Sequence, residues 1–109
     1  MKGTARQIEW AEDIRRQAIE NIEANIKLRA QYDDVPSAAT VSAYKIMRAV
    51  VDGVFAAHDD AEWIINHRQM LTPSGYRVCV DRWAELISTG RMTAEQIAAQ
   101  NGLKDYKEV

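Results

Sequence analysis

His58-Asp59-Asp60, with Glu62 two residues on, gathers an imidazole and three carboxylates within five positions. Those side chains hold divalent cations, and the matching chemistry is metal-dependent phosphoester hydrolysis. That reaction needs further His and Asp ligands from other helices. The one other histidine, His67, lies nine residues on; at about 100° per residue it faces away from His58 on a continuous helix. Asp59 and Asp60 also suit helix caps, so the cluster reads as structural, with no metal site. Cys79 has no histidine near it in sequence to act as a base, and its spacing suggests a core position. The phosphate-binding glycine loops, the C-x-x-C pair and the G-x-S-x-G nucleophile turn are all absent. The expectation is a non-enzymatic protein without a cofactor.

Charge says more. Across 109 residues, 14 basic side chains face 16 acidic ones, a net −2. Nonspecific nucleic-acid binding draws its affinity from a basic excess, which is missing. The distribution is uneven. Residues 30–65 hold Asp33, Asp34, Asp52, Asp59, Asp60 and Glu62 against Lys45 and Arg48 only. These six carboxylates are the candidate partner-binding residues: they suit an arginine-rich groove on another protein, in the manner of a nucleic-acid mimic. The plainer alternative is a solvated loop plus helix caps. Arg68, Arg77, Arg82 and Arg91 offer a modest phosphate-facing patch, although Arg77 and Asp81 have the spacing of a solvated ion pair. A single cysteine allows no internal disulfide, which fits a reducing cytosol. No apolar run approaches the roughly 18 residues of a membrane span, and no apolar leader follows Met1-Lys2-Gly3.

The elements that must position these residues are helical. Thr4-Ala5-Arg6-Gln7 is a capping box opening a long helix to about Arg29. Ile8, Ala11, Ile14, Ala18, Ile22 and Ile26 form its apolar stripe. Glu12 with Arg16, and Glu23 with Lys27, stand at favourable i,i+4 spacing. Tyr32–Ser37 is a loop, with Asp34 or Ser37 capping a second helix whose stripe is Ala43, Met47, Val50, Val51, Val54 and Phe55. Asp59 and Glu62 form a further capping box, and a third segment through Trp63 should end near Gln69, with a kink near His58. Leu71–Gly75 is a turn. Tyr76, Cys79, Val80, Trp83 and Ile87 space a fourth helix closed by Gly90, and Thr93-Ala94-Glu95-Gln96 opens a short fifth. Lys104–Val109 reads as a frayed polar tail. The expected fold is an all-α bundle of four to five helices in one domain, residues 1–109.

Two segments resemble small helical proteins common in phages and other mobile elements. Gly3-Thr4-Ala5-Arg6-Gln7-Ile8-Glu9-Trp10-Ala11-Glu12-Asp13-Ile14-Arg15 resembles their GTxKQIxWAExIR opening. Asp60-Ala61-Glu62-Trp63-Ile64-Ile65-Asn66-His67-Arg68 resembles their closing DAKWWIDNR element, departing from it at Ile64, Ile65, Asn66 and His67. Together they bracket a module over residues 3–68, with 73–109 as a C-terminal extension. The resemblance implies a mobile-element origin and no catalytic residue. Trp10 and Trp63 are expected to close the ends of a helical hairpin, each burying about 150–250 Å², with Arg15 and Arg68 over the rings or paired with carboxylates.

The expected function is therefore binding of a host protein or ribonucleoprotein, in the form of an anti-CRISPR-like inhibitor of a nuclease-type defence complex. The alternative is a DNA-associated regulator using Met92–Leu103, which resembles the first helix and turn of a helix-turn-helix but leaves too few residues for a recognition helix. A homodimer through the outer side of the first helix is a further option. On this reading, reversing Asp33 and Asp34 to Lys, and separately Asp52, weakens target binding without unfolding the domain.

Overall fold

Thr4 and Gln7 close the capping box expected of them. Thr4 Oγ1 accepts from the Gln7 amide at 3.1 Å, and Gln7 Oε1 accepts from the Thr4 amide at 2.9 Å. In the computed structural model, which describes residues 1–108, α1 follows over Ala5–Arg29. It buries Ala11, Ile14, Ala18 and Ile22, with Ile8 and Ile26 packed at the margin, as the periodicity requires. Asp34, not Ser37, caps α2 (Val35–Ala57): its carboxylate accepts from the Ser37 amide at 2.8 Å and the Ser37 hydroxyl at 2.9 Å. Pro36 sits in the first turn, where a missing amide leaves no helical bond unmade.

The helix α2 is buried over more than one stripe. Ala43, Met47, Val51 and Phe55 are joined in the core by Ala39, Tyr44 and Ile46. It packs most extensively against α4 (Pro73–Ser88) and α1, and also against α5 (Ala94–Gln100). A helix covered from several sides needs apolar residues all round.

Helices two and three are separated by a break. His58 is extended (φ −124°, ψ 96°), and α3 covers only Ala61–Asn66 before a 3₁₀ turn at Arg68–Leu71. The N-terminal residues are bound to this corner: the Lys2 amide donates to the Asp59 carbonyl, and the Ala61 amide donates to the Lys2 carbonyl, both at 2.8 Å. The expected capping box is also corrected by one residue. Asp60 is the cap, accepting from the Glu62 amide at 3.0 Å, while the Asp59 carboxylate lies 3.2 Å from the Met1 amino group.

Leu71, expected in a turn, is buried. Helix α4 buries Tyr76, Val80 and Trp83, but Cys79 is exposed, which overturns its core assignment. A 4–3 spacing of core positions leaves residue 79 about 100° from Val80, beyond the packed face. The Tyr76 hydroxyl donates to Asn21 Oδ1, tying α4 to α1, and burial pushes its pKa up to about 12. Gly90 (φ 74°) ends the element as expected. The Arg91 amide returns to the Leu86 carbonyl at 3.0 Å and the Gly90 amide to Ile87 at 3.1 Å, a geometry that needs a left-handed residue. Thr93 and Gln96 form the second reciprocal box. The tail is not frayed throughout, because Leu103 and Tyr106 pack on the core; its last residue, Val109, lies outside the described residues.

The ion pairs differ in their partners from those expected. Arg16 pairs with Asp13 and Glu20 instead of Glu12, and Glu23 reaches across to Arg48 on α2 instead of Lys27. Arg48 also holds Asp52 at 3.1 Å. Arg77 and Asp81 form no ion pair among the described residues.

Two glycines on helices have opposite roles. A Cβ on Gly75 would stand 1.6 Å from the Gln69 carbonyl oxygen, so the 3₁₀ turn and the start of α4 can approach only there. A Cβ on Gly53 meets nothing within 4 Å. Gly53→Ala is expected to stabilise the fold by about 0.5–1 kcal/mol. Gly75→Ala is expected to destabilise it by roughly 2 kcal/mol or more, because backbone must move. Urea titration of the two variants checks both signs.

Candidate functional site

The six acidic candidates do not form one patch. Asp33 and Asp34 sit in the α1–α2 turn, at the tip of the hairpin, whereas Asp59, Asp60 and Glu62 sit at the opposite, basal end. The 23 residues of α2 between them span about 34 Å at 1.5 Å per residue. Asp52 lies on the last turns of α2, nearer the base, and is engaged by Arg48. Asp34 and Asp60 are consumed as caps and Asp59 faces an ammonium, which leaves Asp33 and Glu62 as the two whose carboxylates make no hydrogen bond or ion pair among the described residues. The expectation that Asp34 could be reversed without harm to the fold is therefore corrected, since it is the α2 cap.

The basal end carries a feature the sequence did not reveal. Trp63 is sandwiched between the two histidines. The His58 ring lies 3.4 Å from it, centroid to centroid and 2° from parallel, and His67 lies 3.9 Å away at 15°. The expectation that His58 and His67 face opposite sides of one helix fails because the helix breaks at His58. The turn through Asp59 and Asp60 folds His58 back onto one face of the indole, and the i,i+4 step from Trp63 brings His67 onto the other. The Trp63 carbonyl can only accept, so the contact of 2.7 Å from His67 Nδ1 fixes the proton on that nitrogen. Each stacked pair is worth about 0.5–1.5 kcal/mol beyond its buried area. His58 and Trp63 line a cleft of about 320 Å³ together with Lys2, Ala57, Asp59 and Asp60.

Trp10 is 48 % exposed and closes no hairpin end. One face is covered by Arg68, whose guanidinium carbon is 5.2 Å from the ring centroid while its Nη1 donates to the Ile65 carbonyl at 2.8 Å. Arg15 lies over Phe55 instead of a tryptophan, at 5.5 Å. The same side of α1 presents a groove lined by Arg6, Glu9, Trp10, Glu12, Asp13 and Arg16.

For chemistry the arrangement offers little. Among the described residues no three His, Cys, Asp or Glu side chains stand close enough to share a metal ion. Cys79 is on α4, outside the cleft of His58 and the stack, and so is not placed with an imidazole there. After α5 no helix follows among the described residues. Among the described residues no helix is long and apolar enough to cross a membrane.

The Asp34 cap has a pH signature. Hydrogen bonds from the Ser37 amide, and then from its hydroxyl, hold the carboxyl below its ordinary 3.8. A lowered folded-state pKa contributes stability that is present above the ordinary value and lost as pH falls through the folded one. Asp34→Asn keeps a good cap and removes the titration. The variant is expected to lose less stability than the parent between pH 6 and pH 3, measured by urea unfolding at both. Comparison with family models, curated proteins and solved structures returns no match for this chain.

Proposed function

We propose that the chain works by binding a protein partner through its basal end, presenting carboxylates to a basic surface. The observation that carries this is the α2–α3 corner, where Asp59, Asp60 and Glu62 are exposed on backbone fixed by the Lys2 bridge and the His58–Trp63–His67 stack. Charges held on an ordered corner lose little freedom on docking, and their sign steers encounter with a positive groove. The resemblance of Gly3–Arg15 and Asp60–Arg68 to mobile-element proteins supports a specific form of this function. The partner is then a host protein or ribonucleoprotein whose nucleic-acid groove is occluded, a nuclease-type defence complex in an anti-CRISPR-like role in the host cytosol.

A pull-down from host lysate with mass spectrometry supplies the partner, and charge reversal then tests the surface. Glu62→Lys and Asp59→Lys together should weaken binding about tenfold or more at low salt, with the difference shrinking as salt rises. Asp60 is spared because it caps α3, and Asp33→Lys at the far end is the control. Equal affinity and equal salt dependence for the basal pair and the control would show that the acidic corner is not the contact.

A further inference from the structure

The chain has two histidines, and both stack on Trp63. Imidazole is the one side chain that ordinarily changes charge between about pH 5 and pH 8, so that change is gathered at a single place on the surface. Both rings are within reach of protons, since His58 is half-buried and His67 exposed. The one hydrogen bond that either ring makes among the described residues runs from His67 Nδ1 to the Trp63 carbonyl. It survives protonation, because Nε2 takes the proton. An imidazolium is also attracted to the face of an indole, so the stack tolerates charge on either ring.

We infer that the basal corner is a proton-controlled docking site, which holds a basic protein surface near neutral pH and releases it in mildly acidic surroundings. The inference rests on the function proposed above and adds its regulation. Among the described residues few charged groups face the stack. Asp59, Asp60 and Lys2 line the cleft with His58 and Trp63. The Met1 amino group lies 3.2 Å from Asp59, and Glu62 stands next to Trp63 on α3. Helix α1 packs against α3 but places no charged side chain in the cleft. Arg68, from the 3₁₀ turn, is directed onto Trp10 and the Ile65 carbonyl. With both imidazoles neutral, the three carboxylates outnumber the two ammonium groups and the corner is negative. With both charged, its sign reverses. Screening at ordinary salt extends about 8–10 Å, so charges this close act on one contact together. A corner turned positive repels the basic surface that it attracted before.

Fluorescence anisotropy of a labelled deca-arginine peptide, standing in for the basic surface, reads the effect at low salt at about pH 7.5 and about pH 5.5. The intact chain should bind about tenfold more weakly at the lower pH. His58→Gln/His67→Gln keeps Lys2, the amino group and every carboxylate, so any response that it retains belongs to those groups. It should bind the peptide almost equally at both pH values. His58→Phe/His67→Phe keeps a ring on each face of Trp63 and should behave alike, which separates loss of the proton from loss of the stack. An unchanged circular dichroism spectrum is expected of both variants. An intact chain whose affinity does not fall, or variants that weaken as much as it does, overturns the inference. Asp59→Lys with Glu62→Lys tests the underlying reading at the higher pH. If that variant binds as the intact chain does, the corner is not the contact and the inference falls with it. If it binds weakly while the intact chain ignores pH, the inference alone fails.

Discussion

The second helix cannot be left with a bare side, and the rest of the bundle follows from that. Ala39, Ala43, Ile46, Met47, Val51 and Phe55 are spread round more of the helix than one neighbour can cover. The first helix takes one side through Ala11, Ile14, Ala18 and Ile22. The fourth, with Tyr76, Val80 and Trp83, takes another, and the short fifth closes the gap with Ile97 and Ala98. The segment after Pro73 is thus part of the same core as the helices before it. The hydroxyl of Tyr76 on Asn21 shows how close that integration is, because it joins the first and fourth helices at a point where an unpaired polar atom would cost about 1–3 kcal/mol.

What the sequence made legible were the interactions that close within four residues. Thr4 with Gln7, Thr93 with Gln96 and the glycine at position 90 each need only local partners, and each stands where the pattern put it. The all-α class and the stripe of the first helix were legible for the same reason. Where a local rule competes with a distant partner, reading by spacing failed. Glu23 and Lys27 have favourable spacing, yet Glu23 is drawn to Arg48, which lies 25 positions away and already holds Asp52. Cys79 satisfies the apolar period, but which flank of a helix is covered depends on where its neighbours cross, and periodicity does not carry that.

The same limit explains the candidate site. The acidic residues are dense along the chain between 33 and 62, and a long helix then carries the two halves of that run to opposite ends. The histidine–tryptophan stack was hidden because it depends on a break whose cause lies 57 positions upstream, in the Lys2 backbone pairing with Asp59 and Ala61. Two cues pointed toward it: the i,i+4 step from Trp63 to His67, and an aspartate able to cap a fresh helix directly after His58. Neither alone distinguishes a broken helix from a bent one.

That break also sets how the corner carries its charge. A continuous helix would have carried Asp59, Asp60 and Glu62 round its circumference at about 100° per residue, scattering their charge. Extended backbone at His58 and Asp60 instead projects the acids from a turn, with the indole stacked between two imidazoles beside it. The molecule is 46 Å along its longest axis, with an acidic corner at one end and an apolar tip at the other. The proposed contact thus presents one acidic corner per chain, and its affinity would rest on how well that fixed corner matches a single basic surface.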